Sequence, residues 1–316
     1  MVGLVAVLGS GVAVAVRDLA APPSPLEYAS HALEVMQEQG YYVDPATWPQ
    51  ARQRALETAR AADDYEDTYI GLAGALDVAG GDHSTFLPPG RTLGDRALGD
   101  QQPAYPVITS SGEIATLRLP GLVESDPAVL QHYAEAAAVG IRAAVPETAC
   151  GWIVDLRGNH GGNMWPMLAG LSGLIPDGKV LYFVDRHGRR KTVALRDGSA
   201  LLDGMQIARV SDGPKINHPV AVLQDGETAS SAEAVLLAFH GLPYVRTFGS
   251  PSYGYSTANS TIRLHDGATI YLTSAVFADR SGRLYADPIA PDRHVADSTA
   301  AEAAAREWLI QACDQR

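Results

Sequence analysis

Apolar residues recur at helical spacing near the start of the chain. They do so in residues 25–40 and again in residues 46–79, with a polar and aromatic interruption at 41–45. This period predicts a helical N-terminal subdomain. We place its limits at residues 25–82, after a leader and Pro-rich linker at 1–24 and before the main domain at 83–316.

Beyond the helical segment, short apolar runs alternate with longer stretches of helical period. This alternation is typical of a largely parallel sheet covered by helices, so the predicted fold class is α/β. The predicted strands cover residues 114–119, 152–156, 220–223 and 244–248, the predicted helices cover 126–144, 164–174 and 232–240, and a hairpin is predicted from 179–184 and 191–195.

The charge of the chain argues against one class of partner. The formal net charge is −12, whereas binding to phosphates needs clustered Lys and Arg. The basic run Arg189–Lys191 lies in a Gly-bounded turn and is typical of a solvated hairpin tip. We therefore predict no nucleic-acid partner.

The cysteine content limits the chemistry of the chain. Its two cysteines, Cys150 and Cys313, allow at most one disulfide bond, and their spacing carries no metal-binding signature. A disulfide scaffold and a Cys-rich zinc site are therefore excluded. We predict neither a metal nor another cofactor.

An apolar, uncharged run opens the sequence. Residues 1–16 precede the first charge at Arg17, and a Pro-rich segment follows at 20–25. An export signal or a membrane tether fits this pattern, although the run has no basic start and spans only about 24 Å as a helix, against about 30 Å for a bilayer core. A buried core helix is the alternative. We predict an extracytoplasmic protein, either secreted or anchored to the membrane through residues 1–16.

Three turns carry residues suited to chemistry. They are the segment Gly80–Phe86 with His83, the Gly-rich turn at 157–163, and the segment Thr228–Glu233. The last two follow predicted parallel strands, whose carboxyl ends meet at one edge of a sheet, so we expect them to share a cleft. The Gly-rich turn lacks the residues of a nucleotide-binding motif.

Ser230 lies at a predicted strand-to-helix turn. The first N–H groups of a helix are unpaired and partly positive, so they can stabilise an oxyanion that forms beside the serine. A nucleophile fits this position. Ser and Thr before a helix, followed by Glu233, are also ordinary capping residues, and taken alone these six residues favour the cap.

Four motifs, in order, resemble those of the tail-specific (C-terminal-processing) serine peptidases. They are Asp155–Gly162, Thr228–Glu233, Gly249–Gly254 and Pro291–Asp292. The resemblance implies a ClpP/crotonase-like α/β core and a peptide or protein substrate. It also implies that Ser230 is the nucleophile and that backbone N–H groups of Ser231 and of Gly161 or Gly162 form the oxyanion hole.

Tyr255 occupies the position of the family's catalytic lysine. A tyrosine with an ordinary pKa near 10 is a poor base at neutral pH, and no lysine follows Lys215. The chain is more similar to the branch that has no PDZ domain, like the tricorn core and the nisin-resistance proteases, in which a histidine from the N-terminal side is the base. The resemblance assigns this role to His83.

Other residues have a structural as well as a catalytic interpretation. Ser84 could contact His83 or stabilise its own turn, and Glu233 is favoured as a helix-capping residue. Asp155 is interpreted as structural, bonded to backbone or to Arg157. The candidates for the group that orients His83 are Ser84, Glu233, Asp287 and Asp292.

These patterns predict an exported serine peptidase. Ser230 and His83 would hydrolyse peptide bonds through an acyl-enzyme intermediate. The competing hypothesis is a non-catalytic peptide- or ligand-binding protein on the same fold, which the loss of the family's lysine favours. An esterase of the α/β-hydrolase type is a weaker alternative, because the sequence contains no Gly-x-Ser-x-Gly motif.

Overall fold

A computed structural model describes residues 22–94, 104–147 and 150–315. The predicted export or tether segment at 1–16 lies outside these ranges. The helices are α1 (Pro25–Gln39), α2 (Trp48–Arg60), α3 (Tyr69–Gly80), α4 (Pro127–Ala144), α5 (Met164–Gly170), α6 (Ser231–Phe239) and α7 (Ser298–Asp314). None of these helices has the length and apolarity to cross a membrane.

Fourteen named strands lie within the described ranges. They form two sheets, so the fold is a mixed α/β arrangement. The strands are β1 (Thr85–Leu87), β2 (Val107–Ser111), β3 (Ile114–Arg118), β4 (Gly151–Asp155), β5 (Gly178–Val184), β6 (Arg190–Arg196), β7 (Ser199–Leu202), β8 (Met205–Arg209), β9 (Val220–Gln224), β10 (Val245–Gly249), β11 (Thr257–Arg263), β12 (Thr269–Asp279), β13 (Leu284–Tyr285) and β14 (Arg293–His294).

The first three helices form where helical spacing predicted them. Helix α1 begins at a capping box, in which the Ser24 hydroxyl accepts from the N–H of Glu27 and the Glu27 carboxylate accepts from the N–H of Ser24. The segment predicted at 46–79 is divided into α2 and α3, because Asp64 and Asp67 accept hydrogen bonds from backbone N–H groups and favour a turn there.

The apolar faces of α1, α2 and α3 pack on the hairpin of β11 and β12. One hydrophobic cluster joins Leu33, Met36 and Leu72 of the helices to Ile270 and Leu272 of β12. The helices therefore share their core with the sheet. The subdomain limit at residue 82 stays a prediction.

The six-stranded sheet confirms the predicted parallel sheet. Its order is β14-β10-β9-β4-β3-β2, and every neighbouring pair is parallel except β2 and β3. Trp152 and Val154 of β4 pack in a cluster with α4, α5 and α6, whereas Ile153 packs with Leu309 of α7. This alternation shows that helices cover both faces.

The eight-stranded sheet is antiparallel and was predicted only at one hairpin. Its main order is β1-β12-β5-β6-β7-β8, and β11 and β13 also pair with β12. The predicted hairpin is confirmed as β5 and β6. Helix α5 ends at Gly170, earlier than the predicted Leu174.

A disulfide bond joins Cys150 and Cys313, whose Cα atoms are 4.8 Å apart. Cys150 immediately precedes β4, and Cys313 lies in the last turn of α7. The bond therefore fixes the C-terminal helix to the six-stranded sheet.

Candidate active site

The carboxyl ends of β4, β9 and β10 meet at one edge of the six-stranded sheet. Gly249 of β10 is in register with Gln224 of β9, and Asp155 of β4 is in register with Leu223. The chain leaves these ends through the Gly-rich turn at 157–163, the turn before α6, and the segment at 250–256. The two turns that we expect to share a cleft therefore lie at the same edge of the sheet.

Ser230 is the residue immediately before α6, and its backbone is strained. Its φ of 56° and ψ of −112° are rare for a residue with a side chain, and such a conformation costs about 1–3 kcal/mol. The residue is fully buried. Its hydroxyl lies on the N–H of Glu233 in a capping-box arrangement, but it makes no hydrogen bond within the described part of the chain.

The Gly-rich turn is fixed against the segment that carries Ser230. The side-chain N–H of Asn159 donates to the carbonyl of Leu119 at 2.8 Å, and the backbone carbonyl of Asn159 accepts from the N–H of Ala229 at 3.0 Å. The N–H of Gly161 donates to Asn159 Oδ1 at 2.9 Å. This N–H group is therefore engaged inside the turn, contrary to its use as an oxyanion donor.

The N–H groups of Gly162 and Ser231 make no hydrogen bond to the described residues. The Ser231 hydroxyl donates to the carbonyl of Gly162 at 2.5 Å and so joins the start of α6 to the turn. Gly161 has a φ of 97°, and a Cβ atom built on it would lie 2.9 Å from Ser230 Cβ and 3.0 Å from Ser231 N. Glycine thus permits the turn to approach the serine closely.

His83 ends a short 3-10 helix that follows α3, and it is only 5% exposed. Its Nδ1 atom lies 2.5 Å from Thr257 Oγ1. The backbone carbonyl of His83 accepts from the side-chain N–H of Asn259 at 2.8 Å. The imidazole stacks on the ring of Tyr255, with 4.5 Å between centroids and 20° between planes. Three residues of one segment therefore hold this histidine.

Tyr255 stands where the family's lysine was expected, and its surroundings make it a poorer base. Burial, together with a hydrogen bond to Tyr253, raises the pKa of Tyr255 to about 12. Its hydroxyl donates to the backbone carbonyl of Asp82 at 3.3 Å. At neutral pH the phenol is therefore neutral, and its ring supports the imidazole.

Glu233 connects the serine to the segment that holds His83. One carboxylate oxygen accepts from the N–H of Ser230 at 2.7 Å. The other accepts from the Ser252 hydroxyl at 2.6 Å, the Gly254 N–H at 3.0 Å and the Ser256 hydroxyl at 3.1 Å. Burial raises the pKa of Glu233 despite these hydrogen bonds. Glu233 is thus the N3 acceptor of the predicted cap and a bridge to the next turn.

The predicted orienting residues make other contacts. The Ser84 hydroxyl bonds the Thr273 hydroxyl and N–H, and Asp292 accepts from the N–H and hydroxyl of Thr247. Asp287 is exposed.

Thr257 contacts the imidazole instead, and the sequence patterns did not single it out. The available signal was its spacing from Asn259, because polar residues two apart on a strand can face the same side.

Asp155 and Arg157 lie where β4 leads into the Gly-rich turn. Asp155 forms a two-point ion pair with Arg157, at 2.7 Å to Nε and 2.6 Å to Nη2, as predicted. Arg157 also contacts Ser298 and Glu302 of α7. His160, in the same turn, is exposed.

A pocket of about 270 Å³ opens beside His83. Its walls include Tyr42, Asp82, His83 and Tyr255. Ser230 does not line this pocket and is fully buried.

Comparison with known proteins gives a consistent result. The model of peptidase family S41 matches residues 113–295. The nisin-resistance protein of Lactococcus lactis subsp. lactis is 36% identical over 290 residues, which cover 91% of this chain and 88% of that protein.

Solved structures extend the similarity to the fold. A lipoprotein from Streptococcus agalactiae superposes with a TM-score of 0.80 at 28% identity, covering 93% of this chain and 99% of the other. The photosystem II D1 C-terminal processing protease has the same fold, with a TM-score of 0.58 at 14% identity over 87% of this chain and 94% of the other.

Proposed function

Because the chain belongs to peptidase family S41 and is a serine-type peptidase, we propose that it hydrolyses peptide bonds through Ser230 and His83. The proposed base is His83, since Tyr255 replaces the lysine of the tail-specific peptidases and its pKa is raised. We also propose that the α/β core is of the ClpP/crotonase-like type.

One observation carries the assignment of the nucleophile. Ser230 is held at positive φ, and its buried hydroxyl makes no hydrogen bond to the described residues. A non-glycine residue persists in such a conformation only where its surroundings impose it, and strained residues of this kind cluster at active sites. Glu233 accepts a hydrogen bond from the N–H of Ser230 and so helps to hold this conformation here.

In the first half of the reaction, Ser230 Oγ attacks the carbonyl carbon of the peptide bond. His83 Nε2 takes the hydroxyl proton, while Nδ1–H donates to Thr257 Oγ1. The carbonyl oxygen becomes an oxyanion, which accepts hydrogen bonds from the N–H groups of Gly162 and Ser231. The proposed oxyanion hole therefore omits Gly161.

The tetrahedral intermediate then collapses. The C–N bond breaks, the leaving amine takes the proton from His83 Nε2, and Ser230 remains as an ester. A water molecule gives its proton to Nε2 and attacks the ester carbonyl. The second collapse returns the proton to Ser230 Oγ and releases the new carboxyl terminus. Atoms and protons balance without a metal ion or a cofactor.

The place of action is proposed to be outside the cytoplasm. The bond between Cys150 and Cys313 favours an oxidising compartment, in which disulfides persist. The similarity to a protein described as a lipoprotein agrees with this location. Alkylation of the cysteines in freshly lysed cells, without reductant, is expected to leave both unmodified. Full alkylation would contradict the proposal.

Fluorophosphonate labelling tests the catalytic assignment. The probe phosphonylates an activated serine, and mass spectrometry then identifies the modified residue. We expect labelling of Ser230 in the wild-type protein, and none in Ser230→Ala or His83→Ala at an unchanged melting temperature. Ser110→Ala, which removes an exposed hydroxyl from β2, is the matched control and should label normally.

A folded wild-type protein that does not react would contradict the mechanism. It would favour the non-catalytic binding function, for which the complete burial of Ser230 is the supporting observation.

A further inference from the structure

The pocket beside His83 has a composition that bears on substrate choice. We propose that it binds a Lys or Arg side chain of the peptide substrate, on the residue that follows the scissile bond. This inference rests on the proposed function, because it places the pocket relative to the reacting bond through the role of His83.

Aromatic surface forms one part of the pocket. The ring of Tyr42 lies over Gly81, where a Cβ atom would come within 3.2 Å of two ring carbons. Tyr255 forms another wall. A Lys or Arg side chain can pack its methylene groups on such rings and place its charge near a tyrosine face. Neutral aromatic walls alone would accept any apolar side chain, so the charges around the pocket decide the preference.

Those charges are negative. Asp82 lines the pocket, and its exposed carboxylate makes no hydrogen bond within the described part of the chain. Burial raises the pKa of Tyr42, and so do Tyr41 and the negative charges of Asp287 and Asp82. Both carboxylates therefore act on the space beside this ring.

No Lys or Arg is present among the residues that line the pocket to neutralise these acids. A cationic side chain would gain Asp82 as a carboxylate partner, with the negative charge of Asp287 acting from outside the pocket wall, and an anionic side chain would be repelled.

The role of His83 fixes the side of the scissile bond. The histidine gives its proton to the leaving amine, so its ring must lie on the leaving-group side of the tetrahedral intermediate. A pocket that shares His83 as a wall therefore lies next to the first residue of the leaving peptide. The acyl side of the substrate extends from the opposite side of Ser230.

A peptide library with all residues varied around its centre provides the first measurement. The full-length protein is incubated with the library, and mass spectrometry locates the cleaved bonds. We expect Lys and Arg to be enriched directly after these bonds. The best peptide is then compared with its norleucine counterpart, which has a similar aliphatic chain and no charge, by the ratio of their kcat/KM values.

Substitutions locate the cause of the preference. Asp82→Asn and Asp287→Asn should each lower the lysine-to-norleucine ratio by roughly twofold to fivefold, the effect expected for a solvated ion pair. Glu307→Gln removes the same charge from α7, on the other face of the six-stranded sheet, and should leave the ratio unchanged.

The outcomes separate the two proposals. Three results would overturn the inference and leave the proposed function intact. They are a lysine-to-norleucine ratio near one in the wild type, a ratio that Asp82→Asn does not change, and enrichment of basic residues only before the cleaved bond. Absence of both cleavage and fluorophosphonate labelling would overturn the proposed function and the inference with it.

Discussion

Thr257 Oγ1 lies 2.5 Å from His83 Nδ1, although 174 positions separate the two residues in the sequence. The contact holds the imidazole in one orientation, and the proposed mechanism uses the tautomer in which Nδ1–H donates to this hydroxyl and Nε2 is unprotonated. In the proposed mechanism this hydroxyl holds the imidazole through Nδ1, as the carboxylate does in the Ser-His-Asp triad.

Substitution of Thr257 should affect catalysis more than binding. Thr257→Val keeps the shape and removes the hydroxyl, so we expect kcat to fall about tenfold, the value of one hydrogen bond, with little change in KM. Thr257→Ser should retain most of the activity. Steady-state kinetics across pH 5–9 provide the measurement. Equal kcat values for the valine variant and wild type would show that Thr257 does not position His83.

The ring of Tyr255, and not its hydroxyl, should matter for activity. Tyr255→Phe keeps the stack on His83 and should retain kcat within about threefold, since only one long hydrogen bond is lost. Tyr255→Ala removes the stack and should lower kcat by about tenfold, since such ring pairs contribute about 0.5–1.5 kcal/mol. Loss of activity in the phenylalanine variant equal to that in the alanine variant would assign the role to the phenol.

A side chain at Gly161 should disable the site. Gly161→Ala requires an L-residue at φ 97° and places Cβ 2.9 Å from Ser230 Cβ. The displaced turn should also move the N–H of Gly162, so we expect kcat/KM to fall by at least about a hundredfold, the usual effect of losing an oxyanion donor. Calorimetry measures the stability of the variant, and peptide hydrolysis measures its kcat/KM.

Gly74→Ala is the matched control for the Gly161 variant. Gly74 lies on the exposed face of α3 with nothing within 4 Å of a new Cβ, so this change should stabilise the protein by about 0.5–1 kcal/mol. Full activity in Gly161→Ala would contradict the close approach of the turn to Ser230.

Glu233 should make stability depend on pH. Burial raises its pKa above the ordinary 4.5, so the native state binds this proton more tightly than the unfolded chain. The associated stabilisation is complete below about pH 4.5 and is lost as the pH rises through the native pKa. The unfolding free energy of wild type relative to Glu233→Gln should therefore decrease from pH 4 towards pH 7. Urea unfolding at several pH values measures this difference, and an increase with pH would show that the site stabilises the carboxylate.

Removal of the disulfide should lower stability and spare the site. The chain-entropy model gives about 5 kcal/mol for a bond that spans 163 positions. We expect a lower melting temperature for the Cys150→Ala, Cys313→Ala double variant, and fluorophosphonate labelling near the wild-type level. Treatment of wild type with dithiothreitol should reproduce the lower melting temperature. An unchanged melting temperature would show that the bond adds no stability.

Local sequence patterns were sufficient for the elements around Ser230. The apolar run of β9, the hydroxyl residues after it and the period of α6 are adjacent in the chain, so they predicted the strand-to-helix turn. The Gly-rich turn after β4 was found in the same way. Each of these features depends on residues that are close together in the sequence, so a local pattern of apolar, polar and glycine residues is enough to predict it.

Long-range contacts could not be obtained from these patterns. The antiparallel pairing of β12 with β1 and β11 brings Thr257 and Asn259 to His83, and no local period specifies such a pairing. The orienting residue was sought among acids and Ser84, whereas Thr257 contacts the ring. The engagement of Gly161 by Asn159 likewise depends on the side-chain geometry of the folded turn.

The bond between Cys150 and Cys313 divides the chain into a covalent ring and a tail. Ser230 and Glu233 lie within the ring, and His83 lies in the tail that precedes it. A single backbone cut between positions 150 and 313 would leave both fragments joined through sulfur. A peptidase exposed to its own activity therefore survives one nick in this interval without releasing a fragment, as long as it remains oxidised. A cut between His83 and Cys150 has no such protection, and it would leave the fragment that carries His83 held to the rest of the protein by non-covalent contacts alone.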